Sequence, residues 1–154
     1  MPSLIYLVGC GKQKRSEPAL AESLYTGALF QKSLTLAEIQ AKRSGGAVFI
    51  LSAKYGLIAP TARIAPYDLA LSDLSASQRN EWGIDVAHAL ADYYRKSGRI
   101  GNSELVFYAG RLYVQAVESG VARMLGTSPR SRQPMYGLQI GERLAWLNDQ
   151  LSSL

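Results

Sequence analysis

Val48-Phe49-Ile50-Leu51-Ser52-Ala53-Lys54-Tyr55-Gly56-Leu57-Ile58 is the stretch on which the reading of this chain turns. Its first four residues form an unbroken apolar run, the pattern of a strand buried on both faces. The run stops at Ser52. A loop follows that carries Lys54, Tyr55 and Gly56, then Pro60, Pro66, Tyr67 and Asp68. Polar groups that emerge directly from the end of a core strand are held by a rigid scaffold, which is where sites are built. The plainer reading of the same residues is a crossover loop whose tyrosines and prolines pack on the sheet.

Two more apolar runs flank this one. Ile5-Tyr6-Leu7-Val8 ends in Gly9-Cys10-Gly11-Lys12, and Leu105-Val106-Phe107-Tyr108 ends in Ala109-Gly110-Arg111. Between them, Phe30, Leu34, Ala37 and Ala41 recur at helical spacing from about Thr26 to Lys42, closed by Ser44-Gly45-Gly46. Ser75-Ala76-Ser77-Gln78 is a capping-box pattern opening a helix through Trp82, Val86, Leu90 and Tyr93, with a stop at Ser97-Gly98. A further helix is expected from Leu112 to about Met124. A loop from Gly126 to Pro134 then leads into a last helix whose buried stripe is Ile140, Leu144, Leu147 and Leu151. Apolar strands alternating with helices predict an α/β fold, a three-layer α/β/α arrangement around a small, mainly parallel sheet. Three strands are few, so one or two more are expected around Ile58 to Ile64 or Met135 to Leu138.

The 154 residues are about one domain, 1–154. No apolar run approaches the ~20 residues of a membrane span, so no membrane partner is expected. The opening Met1-Pro2-Ser3-Leu4-Ile5-Tyr6 lacks a charged segment before an apolar one and reads as the first strand, which makes the cytoplasm the expected location. One cysteine and one histidine exclude an intrachain disulfide and a Cys/His zinc set; a carboxylate-held Mg²⁺ stays open, but no D-x-D cluster suggests one, so no metal and no cofactor are expected. His88, between Val86 and Ala89, reads as exposed and structural. The net charge of +5 points to anionic partners, although the basic residues are concentrated only at Lys12-Gln13-Lys14-Arg15 and Arg130-Ser131-Arg132.

In open parallel sheets, ligands bind beyond the carboxyl ends of the strands. Three such ends on one rim make a pocket from named residues. Gly9-Cys10-Gly11-Lys12-Gln13-Lys14 suits a phosphate or carboxylate, since glycines let backbone N–H groups approach an anion and Lys12 and Lys14 add charge. It is not a phosphate-binding loop of the G-x-x-x-x-G-K-[ST] type. Cys10, beside two lysines, is a candidate nucleophile, with a small packed thiol as its other reading. Arg111 can clamp an anion bidentately. Asp68 is a candidate general base, with Lys54 as a second catalytic candidate. Ser52, Tyr55, Gly56, Tyr67 and Tyr113 are candidate substrate contacts, the tyrosines by stacking or proton donation.

These segments together resemble the YaaA peroxide-stress family. Ile50 to Pro60, continuing through Pro66-Tyr67-Asp68-Leu69, is similar to its I-L-S-G-L-Y-G-L-L-R-P…P-Y-R-L block. Leu7 to Lys12 resembles its opening I-S-P-A-K-T, Leu24 to Phe30 its Y-x-G-D-V-Y, and Tyr108 to Val117 its N-L-A-S-x-E-Y-x-K-A-V. The order of the blocks matches over roughly residues 4 to 117. Closer still is the likeness to small stand-alone prokaryotic and phage proteins of unknown function with C-x-K-x-K, Leu-Tyr-x-x-x-x-Phe and S-A-K-Y-G-L elements. A C-x-x-x-K-P-Y pattern in the core domain of archaeosine synthase is a distant parallel. The resemblance implies DNA binding through a helix-hairpin-helix insertion, for which this shorter chain has no room. Asp68 stands where the family carries Arg, which reverses the local charge.

Three functions follow as expectations. The first is a small cytoplasmic enzyme acting on a nucleotide, nucleoside or nucleobase-like substrate, by base modification or N-glycosidic chemistry. Lys12, Lys14 and Arg111 would hold its anionic group, Tyr55 and Tyr67 would wall the base, and Asp68 would move a proton. The second is a non-catalytic DNA-binding protein of the YaaA type, using Lys14, Arg15, Arg130 and Arg132 on phosphates. The third is a scaffold or dimerisation module, for which an exposed Trp146 would argue.

Overall fold

The computed structural model describes residues 3–97 and 103–154; the expected helix stop at Gly98 lies outside the described residues. The three apolar runs become β1 (Ser3–Gly9), β3 (Ala47–Ser52) and β6 (Ser103–Tyr108). Hydrogen-bonded neighbours run β4-β3-β1-β6-β7, with β4 at Gly56–Ile58 and β7 at Arg130–Arg132. Pairing is parallel except between β3 and β4, a tight hairpin in which Ser52 faces Gly56. β2 (Ala19–Leu20) and β5 (Arg63–Ile64) form a separate two-stranded antiparallel ribbon.

Helices cover both faces. α2 (Ala28–Ser44) and α5 (Ile140–Ser152) lie on one side, over Tyr6, Val8, Ile50 and Val106. α3 (Ala76–Ser97) and α4 (Arg111–Leu125) lie on the other, over Ile5, Leu7, Leu51 and Phe107. A four-residue turn of helix, α1 (Ala21–Leu24), completes the set among the described residues. The three-layer α/β/α arrangement and its mainly parallel sheet are as expected. The capping box also forms: Ser75 N–H donates to Gln78 Oε1 at 2.8 Å and Gln78 N–H to Ser75 Oγ at 3.1 Å.

Four expectations are corrected. Of the extra sheet strands, β7 lies at Arg130–Arg132 instead of Met135 to Leu138. On the other flank, the sheet gains Gly56–Ile58, whereas Arg63–Ile64 joins the small ribbon. Ile140 is 69% exposed because it opens α5 at the rim, so it does not belong to the buried stripe, whose centre is Leu147. Trp146 is half-buried and packs on Tyr108, ring centroids 6.1 Å apart, so the exposed tryptophan that would have argued for a scaffold is not there.

α3 and α4 cross backbone to backbone. A Cβ built on Gly83 would stand 2.1 Å from the Ala116 carbonyl oxygen, and one on Gly120 would stand 2.3 Å from that of Gly83. Only glycine permits this approach. It brings Trp82, next to Gly83, and Tyr113, in the first turn of α4, edge to face at 5.6 Å.

The connection after β1 runs through α2 to β3, and the connection after β6 runs through α4 to β7 on the opposite side. Right-handed crossovers in opposite directions place the two helices on opposite faces. The carboxyl ends of β1 and β6 are therefore the switch point at which open α/β sheets take their ligands. Gly9 and Ala109 meet there so tightly that a Cβ on Gly9 would come within 3.0 Å of Ala109 Cβ.

Candidate functional site

Cys10 is the first residue beyond β1, its N–H bonded to the Leu51 carbonyl at 2.9 Å, which ties the ends of β1 and β3 together. Its Sγ lies 3.3 Å from the hydroxyl of Tyr113. Beside this pair, the Tyr67 hydroxyl lies 2.6 Å from that of Tyr25 and 2.7 Å from Ser52 Oγ. Ser52 is fully buried; its Oγ also accepts from the Tyr55 N–H at 3.0 Å, and its carbonyl accepts from Trp82 Nε1 at 2.9 Å. One thiol and four hydroxyls thus gather at the rim, every one of them within hydrogen-bonding distance of a neighbour.

Lys14 is delivered by pairing. The run Gln13 to Arg15 lies antiparallel to Leu24 to Thr26, with Thr26 N–H on the Gln13 carbonyl and Arg15 N–H on the Leu24 carbonyl, both at 2.9 Å. That places Lys14 Nζ 4.5 Å over the Tyr67 ring and 5.7 Å from the Tyr25 ring centroid, a cation–π arrangement over two phenols. Lys14 Nζ also donates to the Lys12 carbonyl at 3.1 Å, while Lys12 itself is exposed.

The electrostatics of the centre follow from its partial burial. Burial pushes the Tyr67 and Tyr113 hydroxyls well above the ordinary phenol value, and the neighbouring Cys10 pushes both further. Burial raises Tyr25 as well, against the hydrogen bonds from Ser52 and Tyr67. These phenols hold their protons at neutral pH, which leaves them able to donate hydrogen bonds.

The sequence-derived residues therefore separate into groups. Cys10, Lys14, Ser52, Tyr67 and Tyr113 come together. Tyr55 flanks them, its ring edge to face with Tyr67 at 5.5 Å and its hydroxyl on the Ala65 carbonyl at 3.2 Å. Gly56 has a turn role: its φ of +75° is the left-handed conformation that a three-residue hairpin loop needs at that place. Lys54 is exposed at the tip of the same hairpin, Nζ 5.4 Å from the Tyr55 ring centroid. Asp68 is exposed although Tyr67 turns inward, and Arg111 is exposed at the start of α4. Tyr25 and Trp82 were missed as members of this centre. Tyr25 lay in the Leu-Tyr-x-x-x-x-Phe element, and Trp82 is indistinguishable in sequence from any core residue of an amphipathic helix.

Among the described residues no cluster of His, Cys, Asp and Glu could hold a metal, and no helix is long and apolar enough to cross a membrane. The model of a family of unknown function, DUF6884, matches residues 5–149, and the chain belongs to that family. No curated protein and no solved structure matches the chain.

Proposed function

We propose that this DUF6884 chain is a small enzyme acting on a nucleotide, nucleoside or nucleobase-like substrate at the switch point of its sheet. The observation that carries the reading is the Cys10 thiol set beside the Tyr113 hydroxyl at 3.3 Å, at the carboxyl end of the central strand and next to the Ser52–Tyr67–Tyr25 network. Cys10 is the nucleophile, and the hydroxyls of Tyr113 and Tyr67 donate to the substrate as charge builds on it. These phenols are proton donors and do not replace the general base expected at Asp68, which is exposed; the partly buried Cys10 thiol gives up its proton to solvent as it attacks. Lys14 supplies the positive charge, over the ring of Tyr67. Base modification and N-glycosidic chemistry both suit a soft nucleophile flanked by neutral acids.

The test is turnover. Purified protein is incubated with pooled nucleotides, nucleosides and nucleobases, and the pool is followed by mass spectrometry. A mass change lost in Cys10→Ser, with the circular dichroism spectrum unchanged, is the expected result. The alternative is the non-catalytic DNA binder, which rests on the +5 net charge. It is weakened by Arg132, whose guanidinium is occupied by Glu104 at 2.6 and 3.1 Å. No turnover, together with oligonucleotide binding that falls steeply with salt, would replace the enzyme reading with that one.

A further inference from the structure

Arg111 opens on a different space from the thiol. A cavity of about 270 Å³ lies beyond the end of β6, lined among others by Phe107, Arg111, Gln133, Met135, Tyr136 and Arg143. We infer that this cavity binds the phosphate of a small phosphomonoester, such as a nucleoside monophosphate or a sugar phosphate. The inference rests on the enzyme reading above and names the class of its substrate.

Two arginines line this cavity, and no Asp or Glu does. Like charges brought to one concave, partly desolvated space repel one another unless an anion comes between them. Arginine is the side chain whose planar fork matches phosphate oxygens in pairs. Arg143 is already oriented: its Nε donates to the Leu138 carbonyl at 2.9 Å, which leaves the terminal amines for a ligand. The loop between β7 and α5 is folded into two successive turns, with Tyr136 N–H on the Gln133 carbonyl at 3.0 Å and Leu138 N–H on the Met135 carbonyl at 3.2 Å. The second turn uses Gly137 at φ +80°. Its effect is to leave Tyr136 77% exposed at the cavity while Met135 is buried beneath it. An exposed phenol ring beside an arginine pair is a surface on which a base or sugar can lie.

Size chooses between ligands of this chemistry. Clefts for drug-sized molecules run from about 300 Å³ upward, so this one suits a single mononucleotide or a sugar phosphate and not a strand. Position ties it to the thiol. Arg111 and Tyr113 are two residues apart on α4, roughly 200° around the helix axis, so they project to opposite sides of its first turn. Phosphate and thiol would flank the same helix start.

Calorimetric titration of the whole chain with inorganic phosphate, ribose phosphate, adenosine monophosphate and adenosine tests this. The phosphorylated ligands are expected to bind, with adenosine monophosphate at least about tenfold tighter than adenosine. Arg111→Ala and Arg143→Lys each weaken the monophosphate by about tenfold or more and leave adenosine unchanged. Arg111 is exposed, so its truncation does not threaten the fold. Equal affinity for ribose phosphate and the nucleotide would locate recognition in the phosphate alone; tighter nucleotide binding would add Tyr136 as a base platform, and either supports the site. The inference is overturned if adenosine binds as tightly as its monophosphate, if both arginine variants bind like the parent, or if only an oligonucleotide binds. Cys10→Ser retains the monophosphate. Arginine-dependent binding with no turnover would sink the enzyme reading and leave this site standing.

Discussion

Two regions of the same rim have been built on opposite principles. Around Cys10, the polar side chains are partnered within the cluster: thiol with Tyr113, Tyr67 with Tyr25 and Ser52, Ser52 Oγ also with the Tyr55 N–H, and Trp82 with the Ser52 carbonyl. Around Arg111 and Arg143, the cavity collects charge of one sign and offers it no counter-charge from its lining. The first region is closed and internally satisfied, so its interactions contribute to stability as well as to any chemistry. The second rests on the buried Phe107 and Met135, while its two arginines have no counter-charge in the lining and contribute little to the fold. The two regions lie on opposite sides of the first turn of α4.

Breaking the geometry beneath the closed half should have the largest effect. Gly83→Val would push a side chain into the Ala116 carbonyl, from which even a Cβ would be 2.1 Å away. The crossing of α3 and α4 must then open, and Trp82 and Tyr113 lose their contact. We expect a loss of about 3 kcal/mol or more, read from urea denaturation. A loss below about 1 kcal/mol would mean that the helices are free to separate, and that Tyr113 is not fixed beside Cys10 by packing.

Tyr67→Phe comes next, and it addresses the comparison directly. Removing one hydroxyl leaves Tyr25 and the buried Ser52 each short of a partner, at an expected cost of about 1–3 kcal/mol. Arg111→Ala, a larger truncation, should stay within about 0.5 kcal/mol. Equal costs for the two substitutions would erase the distinction between a closed and an open region.

How much of this was legible in sequence depended on whether an element is recognised by its own residues or by its neighbours. β1, β3 and β6 are continuous apolar runs because helices cover both their faces, and such runs announce themselves. β7 reads Arg-Ser-Arg. It is an edge strand with little to bury, held by Glu104 on β6 through Arg132, so nothing apolar marks it. The site divides in the same way. Cys10, Ser52 and Tyr67 sit at or near the ends of legible strands, and their grouping followed from the rule about carboxyl ends. Asp68 has the chemistry of a base, yet Pro66-Tyr67 turns the ring inward and leaves the carboxylate exposed. Arg143 and Tyr136 lie in a turn and on a late helix. Only the folded chain reveals that they share a cavity with Arg111.

The smallest expected effect is also the most selective, because it reads protonation instead of packing. In the unfolded chain, tyrosines lose their protons near pH 10. In the folded chain, burial raises Tyr25, Tyr67 and Tyr113, and it pushes Tyr108 up to about 12. Below about pH 10 both states keep these protons, and the groups make no difference to the pH slope of stability. Above it, the unfolded state binds fewer protons than the native state, so the free energy of unfolding must fall as pH rises toward the native values. Phenolate absorbance should therefore lag in the native protein relative to the urea-unfolded chain, and the urea midpoint should drop on the alkaline side. Tyr67→Phe removes one of the lagging phenols and should make that drop shallower. If instead the native protein ionises all its tyrosines near pH 10, water reaches the hydroxyls around Cys10. The closed region would then be as open as the arginine cavity, and the neutral-acid role given to Tyr67 and Tyr113 would lose its physical basis.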